Sequence, residues 1–146
     1  MRLTARFAIG ICALVTIAAL PACSGSHRSD EPVNLLPATN APIADVPIPT
    51  GFSMTGDSTS KVEASGLRFV DHKYDGSDDI LPIVRFYKDQ MPAKGWTFID
   101  QNQLVHSEIS LHYTKNSEDC TVTVTPGTMH THIRVQIDPS GRNAAK

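Results

Sequence analysis

The residues able to do chemistry in this chain are few and widely spaced. Two histidines, His130 and His132, stand two positions apart in TMHTHIRV, and His112 lies in the preceding alternating stretch ISLHYTK. Two apart on an extended chain means one face, with the backbones about 7 Å from each other. A pair of imidazoles on one face is part of a ligand set for Cu²⁺ or Zn²⁺, but a structural zinc site takes four ligands and neither a cysteine nor a carboxylate joins them in this stretch. Solvated strand histidines are therefore the first expectation, and a metal site on His130, His132 and His112 is the alternative. The acidic run DHKYDGSDD fails as a calcium loop of the helix–loop–helix kind. Counted from Asp71, the third position is Lys73 and the twelfth is Pro82, where acidic ligands are needed. It reads instead as a turn leading to a helix N-terminus, which favours negative charge. No GxSxG, HExxH, CxxC, phosphate loop or dinucleotide fingerprint occurs, so no catalytic residue is assigned and a non-enzymatic protein is expected.

The remaining reactive groups are cysteines. Residues 1–22 carry Arg2 and Arg6, then a 14-residue apolar run, FAIGICALVTIAAL, then small residues before Cys23, the layout of a secretory signal. The run is short for a membrane span, which needs about 20 residues. The tetrapeptide LPAC, Leu20 to Cys23, resembles the lipobox of bacterial lipoproteins. That resemblance implies a covalent diacylglycerol and an N-acyl chain on Cys23, no other cofactor, and a protein attached by lipid to a membrane of the cell envelope, facing the periplasm or the exterior. Several acyl chains hold a protein stably where one holds it only marginally. Removal of the signal takes Cys12 with it, leaving Cys120 unpaired on a predicted core face, where a thiol behaves as a small hydrophobe.

The 13 basic residues of the chain include Arg2 and Arg6, so 11 remain after processing against 15 acidic ones, a net charge of about −4. That balance leaves no basic patch for nucleic acid. Residues 23–46 are polar and punctuated by Pro32, Pro37 and Pro42, and are expected to form an extended tether. The folded domain is expected over 47–139, with 140–146 as a disordered tail.

Within that domain the hydrophobic period changes once. Ile80, Ile83, Val84, Tyr87 and Met91 share one helical face, with Asp79 placed for the N-cap and Pro92 and Gly95 for the exit. After Trp96 the period is two: Ile109, Leu111 and Tyr113, then Cys120, Val122 and Val124, then Ile133, Val135 and Ile137 each mark one face of a strand. LRFVDHKY and WTFID read as further strands and SKVEA as a weaker one. With four-residue loops at NSED and PGTM, Leu111 would face Val124 and Val122 would face Ile133, placing His112, Thr123 and His132 in one row. The expected fold is α+β, a two-layer sandwich of one amphipathic helix on a mostly antiparallel sheet of about five strands. The run FYKDQMPAKGW and the strands after it are similar to small bacterial lipoproteins whose helix ends in a Gly-Trp step and leads into a meander.

The face turned away from the helix then carries Thr121, Thr123, Arg134 and Gln136, a polar surface suited to a protein partner in the envelope. The expected function is a lipid-anchored, non-enzymatic interaction or structural module. A periplasmic metal-binding lipoprotein using the histidines of the same face is the alternative.

Overall fold

The computed structural model describes residues 34–63 and 66–141. The expected signal sequence, Cys23, the expected tether as far as residue 33 and the expected tail from 142 onward lie outside the described residues.

Alternation at period two produces a single antiparallel sheet. β1 (Ser53–Met54) and β2 (Thr59–Val62) lead to β3 (Arg68–Gly76); the helix α1 (Ile80–Ala93) follows, then β4 (Thr97–Gln103), β5 (Ile109–Lys115), β6 (Glu118–Pro126) and β7 (Thr131–Pro139). The order is β1-β3-β7-β6-β5-β4, with β2 also paired to β3. The first long strand thus lies beside the last. The sheet has seven strands, not about five. β1 has two residues and all four residues of β2 are exposed, so neither carries the apolar alternation that marks a strand in sequence; both form by pairing with different stretches of β3.

The register also differs from expectation, by two residues at each hairpin. Lys115 pairs with Glu118 and Pro126 with Thr131, so Leu111 faces Val122, Val122 faces Val135, and Val124 faces Ile133. Asn116, at φ 55°, enters the left-handed region and closes the first hairpin in two residues. In the second, the Gly127 N–H donates to the His130 carbonyl at 2.8 Å, and a Cβ on Gly127 would sit 2.4 Å from that oxygen. A shift of two preserves the faces, which is why the apolar pattern alone did not distinguish the two registers.

One face of the sheet is the core. Val70 and Tyr74 of β3, Ile133, Val135 and Ile137 of β7, Cys120, Val122 and Val124 of β6, and Leu111 and Tyr113 of β5 are buried there beneath Ile83, Val84, Phe86, Tyr87 and Met91 of α1. The helix begins at Asp79, whose backbone is extended and whose side chain makes no capping bond. At its end Gly95, at φ 86°, lets the Trp96 N–H return to the Met91 carbonyl and delivers the indole into the core.

The largest departure concerns the tether. Residues 34–46 are not a free linker, because the strap from 34 to 52 lies on the domain and buries Ile43, Val46 and Ile48 in the same core. Asp45 fixes it: its carboxylate accepts Arg68 at 2.9 and 3.0 Å and Lys115 at 2.7 Å, and its carbonyl accepts the Trp96 indole N–H at 2.8 Å. Arg68 in turn donates to Glu118 at 2.8 and 2.5 Å.

Candidate functional site

The polar residues selected from the sequence converge on the outer face of the sheet. Thr121 pairs with Gln136 and Thr123 with Arg134, two successive cross-strand pairs on β6 and β7. Ser110 extends the patch through a 3.1 Å bond between its hydroxyl and that of Thr123. The Arg134 guanidinium is held in a fork by Asp71, Nε at 2.8 Å and Nη2 at 2.6 Å, and these bonds keep the Asp71 carboxyl below the usual carboxylate range. A groove of about 400 Å³ opens beside Thr121 and Gln136, walled by Ile99, His112, Asp119 and Asp138. A second groove, of about 420 Å³, lies among Asp57, Lys73, Asp75, His132 and Arg134. Lys73 is paired with Asp57 and Arg134 with Asp71, and the His132 ring meets the Asp75 carboxylate. The face therefore offers hydrogen-bonding groups at its centre, paired charge at one end, and at the other the acidic residues Asp119 and Asp138, which stand opposite each other on β6 and β7.

The histidines are not brought together. His130 precedes β7 in the hairpin loop, so it does not share a strand face with His132, and its carbonyl closes that loop. The expected row of His112, Thr123 and His132 is replaced by His112–Thr121–Gln136 and by Asp75–His132–Thr125. The two-residue shift occurs twice, so His112 and His132 stand four residues apart along the strands, about 13 Å, as well as two strands apart. Each faces its own aspartate: His132 Nδ1 lies 2.6 Å from Asp75, and His112 Nδ1 lies 3.3 Å from Asp100. Among the described residues no group of three or more His, Cys, Asp or Glu side chains is placed to hold a metal ion.

Inside the helix–sheet layer stands a set of polar groups that the sequence reading passed over. The exposed Ser60 hydroxyl on β2 lies 2.5 Å from Nε2 of buried His72, whose Nδ1 lies 3.0 Å from the Tyr74 hydroxyl. Burial pushes the His72 imidazole down, against a smaller opposing pull from Asp71, and raises the Tyr74 phenol to about 12. Both groups are thus neutral near pH 7. These contacts tie the edge strand β2 to the core. The alternation Val70, His72, Tyr74 was the available signal, since it places His72 on the core face. Deeper in, the hydroxyls of buried Tyr87 and Tyr113 have no hydrogen-bond partner among the described residues. Burial also pushes the Cys120 thiol upward, which keeps it protonated and unreactive.

A family model described as START domain-like matches residues 54–141, from β1 to the end of β7. The chain belongs to the START domain-like family. Domains of this kind are typically ligand-binding and non-catalytic. The strap up to Ser53 precedes the matched START domain-like region and is an addition to it. No curated relative and no solved structure matches the chain. Among the described residues no helix is long and apolar enough to cross a membrane.

Proposed function

We propose that this START domain-like protein is a lipid-anchored, non-enzymatic binding module of the bacterial cell envelope, which presents its outer sheet face to another envelope protein. Attachment through Cys23 rests on LPAC and the signal layout before it. The observation that carries the binding role is the pairing of Thr121 with Gln136 and Thr123 with Arg134 beside the 400 Å³ groove. A hydrogen-bonding patch whose guanidinium is already held by Asp71, with an apolar wall at Ile99 and carboxylates at Asp119 and Asp138, has the mixed composition of a protein-contact surface. The test is recovery of the protein from native membranes with its bound partner. Thr123→Arg places an unpaired charge in the patch and should cut partner recovery about tenfold, the effect of a desolvated charge at an interface. Unchanged recovery would remove the outer face from the proposal, and metal measured on the same sample checks the histidine alternative.

A second reading follows from Tyr87 and Tyr113. Two buried hydroxyls with no partner, in the layer between helix and sheet, are suited to the polar end of a small apolar ligand, a class of ligand that START domain-like domains bind. Native mass spectrometry of the protein extracted from membranes distinguishes the two. A bound small molecule that is lost in Tyr87→Phe supports the interior site, and its absence from gently extracted wild-type protein rejects it.

A further inference from the structure

The described residues contain eight lysines and arginines, and five of them have a carboxylate partner: Lys61 with Glu63, Arg68 and Lys115 with Asp45, Lys73 with Asp57, and Arg134 with Asp71. The other three, Arg85, Lys88 and Lys94, make no ion pair among the described residues, and all three belong to α1 or its C-cap. Among the described residues, positive charge outside an ion pair is thereby confined to the helix and its C-cap.

The same helix bears exposed apolar groups. Leu81, Arg85, Lys88 and Pro92 recur at i, i+4, i+7 and i+11, which draws one stripe down the side opposite the buried face. Leu81 is 61% exposed, and Leu36 of the strap, 71% exposed, lies beside the stripe, where Leu36, Pro82 and Arg85 line one shallow groove. Asp89 flanks the stripe on this groove side and is the one acidic residue of α1; Asp78 and Asp79 precede the helix. A stripe of leucine with arginine and lysine that make no ion pair, Lys88 standing 5.3 Å over the Phe98 ring, is suited to the interface of a bilayer with anionic headgroups.

Chain connectivity brings that stripe to a membrane. Asn34 lies against α1, and only residues 24–33 separate it from Cys23. Ten residues reach at most about 35 Å. We propose that the solvent face of α1, with Leu36, is a docking surface for an anionic lipid bilayer, so that the domain rests on the membrane with its outer sheet face turned away. For its nearness to lipid, the proposal rests on the anchored reading given above. It assigns the helix face to lipid and leaves the sheet face to the protein partner. Each basic residue near an anionic surface multiplies the docked population about fivefold, an effect that salt removes.

Depth-dependent quenching tests it. The mature protein carrying either Leu81→Trp or Gln136→Trp is reconstituted in vesicles of phosphatidylglycerol or of phosphatidylcholine, each with brominated acyl chains; buried Trp96 contributes the same background to both. The tryptophan at 81 should be quenched at least about twofold more than the one at 136 in phosphatidylglycerol, and the difference should vanish in phosphatidylcholine or when Arg85→Glu and Lys88→Glu are added. Equal quenching at both positions, or quenching at 81 that ignores headgroup charge, overturns the proposal. So does protection of Arg85 and Lys88 that appears only when a second envelope protein is present, which would assign the face to that protein. The mass of the peptide containing Cys23, taken from the same preparation, reports the anchor separately. Acyl chains present without quenching at 81 reject the docking face alone, whereas an unmodified Cys23 rejects the anchor.

Discussion

Asp45 and Arg68, 23 residues apart, meet through two bonds of 2.9 and 3.0 Å, and this fork holds the strap against the sheet. The pair is mostly shielded from solvent, and the Lys115 ammonium completes the site at 2.7 Å. Replacing Asp45 with Asn leaves Arg68 and Lys115 short of a negative partner, and should cost about 1 to 3 kcal/mol. Urea unfolding of Asp45→Asn measures it; a loss under about 0.5 kcal/mol would show that burial of Ile43 and Val46 holds the strap unaided.

Acid should loosen the domain in two stages. His72, pushed down by burial, takes up its proton less readily folded than unfolded. Below about pH 6.5 the unfolded chain therefore binds more protons, and stability falls as pH drops through that range. At Asp45 burial alone would raise the pKa, but Arg68 and Lys115 outweigh it and hold the carboxyl at about 2, against an ordinary 3.8. Its contribution is complete above the ordinary value and is lost as pH falls toward 2. His72→Gln should flatten the first stage and leave the second, read as unfolding midpoints at pH 7, 5 and 3.

Gly76 lies directly under Phe52. A Cβ at this position would stand 2.6 Å from two atoms of the ring, so Gly76→Ala must displace Phe52. A destabilisation of about 1 to 3 kcal/mol is expected, the cost of overpacking. A loss below about 0.5 kcal/mol would mean that Phe52 swings aside freely.

The two sides of β6 should respond unequally. Val122 is buried between Leu111 and Val135, and truncation to Ala should cost about 1 to 3 kcal/mol. Thr123→Ala, on the other face, loses one bond to Ser110 and should cost about 1 kcal/mol or less. Thermal unfolding of both variants gives the ordering, and a larger loss at 123 would contradict the assigned faces.

Tyr87→Phe removes a hydroxyl that is buried without a partner. In the ligand-free protein this should be neutral or stabilise by up to about 1 kcal/mol, since no hydrogen bond is lost and a desolvated group disappears. A clear destabilisation would reveal a partner for that oxygen.

Periodicity carried the helix and the three strands after Trp96, because Tyr87, Val122 and Ile133 are buried by local pattern. It could not carry pairings set at the hairpins: the first closes in two residues where four were expected, and the second keeps a four-residue loop moved one position along, to 127–130, which kept Thr121, Thr123, Arg134 and Gln136 on one face but separated His112 from His132. The strap was illegible for a different reason. Its prolines resemble those of a free linker, and what orders it is Asp45 meeting Arg68, Lys115 and Trp96, up to 70 residues away. His72 was legible in the alternation of β3, where it falls between Val70 and Tyr74 on the core face.

The adjacency of β3 and β7 sets a timetable for the chain. Strap and β3 come early in the sequence, yet the strap's carboxylate waits for Lys115 and the inner edge of β3 waits for Thr131 to Ile137. A polypeptide delivered N-terminus first must hold these pieces open until nearly its last strand arrives. Long-range closure of this kind is slow, so a chain stalled before residue 131 would present the edge of β3 that β7 should fill as an open, sticky edge.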